Sequence, residues 1–188
     1  DPLIRGLLIS FIIVYAVSLI VGPDFARQFG LVPRAVLRER KLWQPFTWFF
    51  VHGGPLHILF NFGLFWFFGA SALQRWGRDE FIKYLVICGL GSAAAVIALS
   101  PNSAAPVLGS SGAAYGLIVS FALIHPDATL FFFFIPVRAA YLPVFLLVIE
   151  VFLGLSFGSP TISHAAHAGG MITGYVYLRW WWAFKHRL

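Results

Sequence analysis

Three short polar motifs interrupt an apolar sequence and carry the residue types that could do chemistry. In chain order they contain His52, His57 and Asn61, then Gly109, Ser110, Ser111 and Gly112, then His164 and His167. A serine hydroxyl becomes a nucleophile when a neighbouring base takes its proton, and histidine can act as that base near neutral pH. Ser111 and His167 are therefore the candidate nucleophile and general base.

The oxyanion of a tetrahedral intermediate needs hydrogen-bond donors, and the first motif offers them. His57 and Asn61 are four residues apart on one helix face, so both can donate beside the backbone N–H of Ser111. A carboxylate orients the histidine in conventional triads. Of the 7 acidic residues only Glu150 falls within a predicted membrane span, outside all three motifs. The sequence therefore favours a Ser111–His167 dyad, with Glu150 facing a cavity or protonated and without an assigned role.

Each motif has a simpler interpretation when taken alone. A Gly-x-Ser-Gly string is a weak signal, because small residues in membrane helices usually serve packing. A histidine inside a membrane is functional by default but can instead hydrogen-bond a neighbouring helix. For His52 and His164 we favour a loop or supporting role. Catalysis is indicated by the combination of the three motifs.

The composition is typical of a membrane protein. Of the 188 residues, 60% are hydrophobic and 11% are charged, whereas soluble domains carry about 25% charged residues. The net charge of +6 comes from basic residues beside apolar segments, which favours lipid contact over nucleic-acid binding. Cys88 is the only cysteine, so no internal disulfide can form. No metal site and no cofactor are predicted.

Six apolar helices are predicted to position the motifs. A helix needs about 20 apolar residues to cross the hydrocarbon of a membrane. The predicted spans are 3–21, 55–73, 81–99, 111–124, 139–155 and 164–184. The first is interpreted as a spanning helix rather than a signal peptide, and the loop 23–51 is expected to lie in the membrane interface. The predicted fold class is all-α, with one polytopic membrane domain over residues 1–188.

The fourth predicted span is too short to cross the membrane. At about 1.5 Å rise per residue, segment 111–124 covers about 21 Å, against about 30 Å of hydrocarbon. Irregular backbone at that depth is tolerated only beside protein or a water-filled cavity. The start of this helix, with Ser111, is therefore predicted to be submerged and to line a wet cavity.

Charge bias predicts the orientation in the membrane. If six spans alternate, eight of the 13 basic residues lie on the side of the termini and five lie in the loop 23–51 on the other side. The positive-inside rule then places both termini in the cytoplasm. All three motifs lie near the starts of even-numbered spans, so the site is predicted to open on the extracytoplasmic side.

Paired glycines predict which helices meet. The small-xxx-small pairs are Gly112 with Gly116 and Gly170 with Gly174. Such pairs let two membrane helices approach closely. A close approach of the fourth and sixth spans would bring Ser111 within hydrogen-bonding distance of His167. Tyr115, one turn after Ser111, is predicted to pack on the imidazole ring and to fix its orientation.

The ordered motifs resemble those of the rhomboid intramembrane serine proteases, and the resemblance covers nearly the whole chain. It implies that Ser111 is the nucleophile and His167 the general base. It also implies that His57 and Asn61 donate to the oxyanion. The supporting positions that it implies are Gly109, Gly112, Tyr115, Gly170 and Gly174.

Two local features bear on this resemblance. Family members often have Trp-Arg in the first loop, where this chain has Trp43-Gln44. Inactive relatives lose the serine or the histidine, or carry a proline before the serine. This chain keeps Ser111 and His167 and has Ser110 at the preceding position. The departure in the loop is therefore not expected to affect the chemistry.

The resemblance implies a serine endopeptidase of the bacterial inner membrane that cleaves transmembrane or membrane-proximal segments of single-span proteins. Substrate is expected to arrive sideways from lipid, near the fifth span and the loop 156–163. The alternative is a catalytically silent relative that binds membrane clients, and fluorophosphonate labelling of the serine separates the two. A third interpretation is a small transporter or channel, but here the polar groups cluster towards one side of the membrane.

Overall fold

The computed structural model describes residues 1–132, 134–157 and 164–182 and is mostly helical. The helices of the described residues are α1 (Pro2–Val21), α2 (Asp24–Phe29), α3 (Pro33–Arg38), α4 (Gln44–Thr47), α5 (Pro55–Leu64), α6 (Ala70–Trp76), α7 (Arg78–Leu99), α8 (Ser111–Ile124), α9 (Leu142–Phe157) and α10 (His164–Val176). Two strands, β1 (Thr129–Phe132) and β2 (Ile135–Arg138), lie between α8 and α9. The helix α8 has the bounds that the sequence predicted for the fourth span.

Within the described residues, three helices are long and apolar enough to cross a membrane. They are Pro2–Val21, Pro55–Trp76 and Arg78–Leu99. The helix α1 shows the distribution expected at a lipid boundary, because Ile4, Leu8 and Phe11 are buried while Ile12 and Ile13 on other faces are exposed. An exposed apolar surface of this kind is stable against lipid rather than water.

The second span ends later than predicted. It runs continuously from Pro55 to Trp76 through a π-helical segment, Phe65–Gly69. The prediction ended it at residue 73 because Arg75 follows, but a basic residue in the last turn stabilises a helix by interacting with its dipole. The helix ends instead at Gly77, whose φ of 79° lies in the left-handed region that favours glycine.

Other span boundaries also differ from the prediction, by one residue at the start of α1 and two at the end of α9. The helix α7 begins at Arg78 rather than at residue 81, since Asp79 and Glu80 occupy its first turn and favour a helix start. A 3₁₀ turn, Ala139–Tyr141, precedes α9. After α10 the chain continues as a π-helical segment, Tyr177–Trp182. Residues 183–184 of the predicted sixth span lie outside the described residues.

The first loop is folded rather than irregular. It contains α2, α3 and α4, followed by the 3₁₀ turn Trp48–Phe50. The side chain of Gln44 is fully buried, accepts a hydrogen bond from the Val32 N–H at 2.9 Å, and donates to the Arg27 carbonyl oxygen at 2.9 Å. The glutamine that departs from the family pattern thus connects separate parts of the loop through its amide.

A two-stranded antiparallel sheet connects α8 and α9, where no strand was predicted. Thr129 pairs with Arg138 and Leu130 with Val137. Phenylalanine, isoleucine and valine are frequent in this segment and favour strands. The mostly helical fold is confirmed, and this hairpin is a local exception to the all-α prediction.

The centre of the fold is formed by α7, α8 and α10. The helix α10 packs against both α7 and α8. Tyr84 on α7 is fully buried and donates its hydroxyl to the Gly116 carbonyl oxygen on α8 at 2.6 Å. The second and third polar motifs lie at the starts of α8 and α10, so this packing brings them together.

Candidate active site

Ser111 begins α8, where the first backbone N–H groups have no intrahelical acceptor. The preceding turn requires Gly109, whose φ of 108° is in the left-handed region. A Cβ atom at Gly109 would lie 2.6 Å from Nε2 of His57. This glycine therefore lets the loop pass close to the His57 ring and brings the first motif beside the second.

Ser111 and His167 are in direct contact. The Ser111 Oγ lies 2.8 Å from Nε2 of His167, within hydrogen-bonding distance. The His167 ring stacks on Tyr115, with ring centroids 4.2 Å apart and an interplanar angle of 7°. His167 is buried, whereas Ser111 is partly exposed. The structure thus brings together the predicted nucleophile, the predicted base and the tyrosine expected to pack on it.

Glu150 lies at this site, a contact that sequence reasoning missed when it left this residue without a role. It is only 5% exposed, and its Oε1 lies 2.9 Å from Nδ1 of His167. Its Oε2 lies 2.6 Å from Nδ1 of His164. Glu150 lies outside the motifs along the chain, but α9 packs against α10. The available signal was chemical, because an acidic residue in an apolar helix needs a polar partner.

The first motif forms a hydrogen-bonded layer next to the start of α8. Asn61 Oδ1 accepts from the Ser110 hydroxyl at 3.1 Å, and Asn61 Nδ2 donates to the His57 carbonyl oxygen at 2.8 Å. An amide nitrogen carries two N–H groups, so one remains for a ligand. His57 and Asn61 line the same cavity as Ser111.

His52 lies behind this layer, in the loop before α5. Its Nδ1 is 3.1 Å from the Phe50 carbonyl oxygen and its Nε2 is 3.5 Å from the Ser110 hydroxyl. Burial, and then the neighbouring His57 ring, lower the pKa of His52 to about 4. A neutral His52 can then donate from Nδ1 to this carbonyl oxygen.

The glycine pairs meet two different helices. A Cβ atom at Gly170 would overlap the carbonyl oxygen of Gly112 and lie 2.6 Å from its carbonyl carbon. A Cβ atom at Gly116 would meet a side chain of α7 first, at 2.6 Å, and would lie 3.3 Å from the Gly170 carbonyl oxygen. Gly174 also faces α7, because its Cβ atom would lie 2.5 Å from the Tyr84 hydroxyl. The close approach of α8 and α10 is therefore centred on Gly112 and Gly170.

A cavity of about 1650 Å³ extends from Ser111 and His167. Its walls are mainly apolar and include Leu56, Leu59, Phe60, Leu130, Leu142 and Leu146. These residues belong to α5, β1 and α9, and Ser111 of α8 and His167 of α10 line the same cavity. An apolar cavity with a few polar groups in its walls is typical of a ligand site. Residues 158–163, in the loop expected near the path of the substrate, lie outside the described residues.

The described side chains at the site offer nucleophilic and acid–base chemistry. In residues 1–132, 134–157 and 164–182, no group of three or more His, Cys, Asp or Glu side chains is arranged to hold a metal ion. The carboxylate of Glu150 is paired with the rings of His164 and His167. The Ser111 hydroxyl contacts the other nitrogen of the His167 ring, Nε2.

The rhomboid domain family model matches residues 39–184, which include all three polar motifs. The chain therefore belongs to the rhomboid family. This membership, together with long apolar helices, identifies a membrane protein.

Similar proteins come from plants and bacteria. The chain is 29% identical over 184 residues to RHOMBOID-like protein 12, mitochondrial, of Arabidopsis thaliana, covering 89% of this chain and 54% of the relative. It is 29% identical over 195 residues to Rhomboid protease GlpG of Serratia proteamaculans, covering 99% and 64%. It is 28% identical over 188 residues to Rhomboid protease GlpG of Yersinia pestis, covering 95% and 62%. The chain thus spans less than two thirds of the length of these relatives.

Proposed function

We propose that this protein is an intramembrane serine endopeptidase in which Ser111 is the nucleophile and His167 the general base. The observation that carries the proposal is the 2.8 Å contact between Ser111 Oγ and His167 Nε2. Both residues line a mainly apolar cavity. Membership of the rhomboid family, and relatives named as rhomboid proteases, support the same chemistry.

The proposed reaction starts when Ser111 Oγ attacks the carbonyl carbon of the scissile peptide bond and its proton passes to Nε2 of His167. A C–O bond forms and the carbonyl oxygen becomes an oxyanion. When the intermediate collapses, the C–N bond breaks and His167 gives the Nε2 proton to the leaving nitrogen. Water then attacks the acyl-enzyme by the same route, which releases a carboxylic acid and restores the Ser111 hydroxyl.

The oxyanion is held, in this proposal, by three donors on residues that line the cavity. They are the backbone N–H of Ser111, the second Nδ2–H of Asn61 and the His57 ring. Donors that are already fixed in position stabilise the charge that develops in the transition state without having to reorganise. The bond from Asn61 to the His57 carbonyl oxygen, 2.8 Å long, fixes the amide in this way.

Replacing an oxyanion donor should slow cleavage without stopping it. We expect Asn61→Ala and His57→Ala each to lower kcat/KM by about 10²–10³-fold, because one donor is lost while the others remain. Cleavage kinetics on a purified single-span substrate measure this, with melting temperatures as a control for folding. Wild-type kcat/KM in both variants would exclude the oxyanion role. Loss of His57 should not reproduce the loss of the base, His167.

We further propose a single domain over residues 1–188 with six spans, cytoplasmic termini and a site that opens extracytoplasmically, in the bacterial inner membrane. The helix α8 has 14 residues, which at about 1.5 Å per residue leaves its Ser111 end below the membrane surface. The basic residues, eight on the side of the termini and five in the first loop out of 13, support this orientation.

The proposed substrates are transmembrane or membrane-proximal segments of single-span proteins that arrive sideways from lipid. The peptide bonds of a helix are shielded, so the segment must unwind before Ser111 can attack. Unwinding in hydrocarbon exposes backbone groups at a cost of several kcal/mol each. The cavity between α5 and α9 offers a place where that cost is reduced.

Substrate spans that unwind easily should therefore be cut faster. We expect spans with glycine, proline or polar residues in the part nearer the extracytoplasmic surface to be cleaved faster than poly-leucine spans of equal length. Initial rates in liposomes, with substrates that differ only in that segment, measure the effect. Equal rates across the panel would show that unwinding does not limit cleavage.

A serine-reactive fluorophosphonate tests the proposal against a catalytically silent relative. An active protease becomes labelled at Ser111, and Ser111→Ala abolishes the labelling. A protein that binds single-span clients, cuts none of them and stays unlabelled would be the silent binder instead.

A further inference from the structure

A buried carboxylate outside the three motifs occupies the far side of the proposed base. Glu150 on α9 places Oε1 2.9 Å from Nδ1 of His167 and Oε2 2.6 Å from Nδ1 of His164. The Tyr115 hydroxyl interacts with the same carboxylate. The ring of Tyr115 is the one that stacks on His167. Helices α8, α9 and α10 thus converge on one imidazole.

The two contacts of His167 favour one position for the proton of the neutral ring. For the Ser111 hydroxyl to donate to Nε2, that nitrogen must present its lone pair, so the neutral ring carries its proton on Nδ1. Nδ1 is the atom that faces Glu150. The opposite tautomer would place a proton between Nε2 and the serine and leave the ring unable to act as a base.

The charge that develops on His167 favours the same arrangement. When Nε2 accepts the proton of Ser111, the ring becomes a cation 2.9 Å from a carboxylate oxygen, in surroundings of low dielectric constant, where such a pair attracts strongly. In the resting site, Nδ1 of His167 has no aligned hydrogen-bond partner among the described residues. Catalytic hydrogen bonds often become aligned only when substrate is bound.

We propose that Glu150 is a positioning residue for His167, so that the working group is Ser111–His167–Glu150 rather than a dyad. The inference rests on the proposed protease function and extends it. Glu150 holds the Nδ1–H tautomer and stabilises the imidazolium, and it stays ionised throughout. The proton moves only between Ser111, Nε2 of His167 and the leaving nitrogen.

A structural latch is the competing explanation for the same contacts. Glu150 also binds His164, the first residue of α10, and therefore ties α9 to α10. If fastening these helices were its only role, losing the carboxylate would lower the melting temperature or change KM. It would leave the tautomer of His167 and the reactivity of Ser111 unchanged.

Glu150→Gln separates the two explanations, because it keeps the size of the side chain but removes its charge. We expect kcat to fall by about 10²–10⁴-fold, the range between loss of one stabilising group and loss of the correct tautomer, with KM little changed. The rate of fluorophosphonate labelling at Ser111 should fall in parallel. The ¹⁵N spectrum of histidine-labelled protein should show His167 as the Nδ1–H tautomer in the wild type and a shifted population in the variant.

Two matched variants serve as controls. Glu80→Gln makes the same chemical change on α7, where the carboxylate bonds Tyr177, and should keep wild-type kcat. His164→Gln removes a second imidazole partner of Glu150 and keeps His167 and Tyr115, so it should affect kcat far less than Glu150→Gln. The wild-type spectrum needs no variant, so the proposal can be tested even if Glu150→Gln does not fold.

Two results would overturn the proposal. One is an Nε2–H tautomer of His167 in the wild-type protein. The other is a folded Glu150→Gln variant with wild-type kcat and labelling rate, including one in which only KM changes, as the latch predicts. Ser111→Ala distinguishes this failure from that of the protease function. An inactive Ser111→Ala beside an active Glu150→Gln refutes only the role of Glu150, whereas an active Ser111→Ala refutes the function itself.

Discussion

Ser111→Ala and His167→Ala are each expected to abolish cleavage while leaving the protein folded. The two side chains contact each other at 2.8 Å and act as a unit, so removing either one takes away most of the nucleophilic route. In serine proteases such a loss costs about 10⁶-fold in kcat. Cleavage of a purified single-span substrate in liposomes, followed with the melting temperature of each variant, measures the effect.

The double variant makes this test sharper. If Ser111 and His167 form one unit, the double substitution should be no slower than either single one. Ser120→Ala is a matched control, since Ser120 is a buried serine on the same helix whose hydroxyl bonds only the Leu117 carbonyl oxygen in the described residues. His125→Ala controls for loss of an imidazole at an exposed position. A Ser111→Ala variant that cuts at the wild-type rate would exclude the mechanism.

The local part of the site could be predicted from the sequence because polar residues are rare in apolar helices. The four-residue separation of His57 and Asn61 places both on one face of α5, and both line the cavity. The bounds of α8 were predicted because an apolar segment begins at Ser111 and is followed by His125-Pro126. In each case a property within one helix determined the position.

The contacts between helices could not be predicted in the same way. The position of Glu150 beside His167 depends on the rotation of α9 about its axis, and a helix that is apolar all round leaves that rotation undetermined. Gly174 faces Tyr84 of α7 rather than α8 for a similar reason. Gln44 stands where the family often has an arginine. Its amide hydrogen-bonds backbone groups of Val32 and Arg27, and the spacing of residues along the sequence does not indicate these contacts.

Gly170→Val is expected to lower the melting temperature and to abolish cleavage. Its Cβ atom would overlap the carbonyl oxygen of Gly112 on α8, and the Ser92 Oγ on α7 would be 2.8 Å away. Extra methylene groups in a packed interior cost about 1–3 kcal/mol. The cost here should reach or exceed that range, because the obstacle is a backbone atom that no change of rotamer can move.

Activity should be lost because the approach of Gly170 to Gly112 lies next to both reacting residues, Ser111 and His167. Ser111 directly precedes Gly112 on α8, and His167 lies one turn before Gly170 on α10, so separating the helices lengthens the 2.8 Å contact. Gly6→Val on α1 is the matched control, since a Cβ atom there meets nothing within 4 Å, and it should keep both activity and melting temperature. A Gly170→Val variant as stable and as active as Gly6→Val would show that α8 and α10 do not approach at this position. Gly170→Ala should already show part of both losses, because its single added carbon occupies the Cβ position that overlaps Gly112.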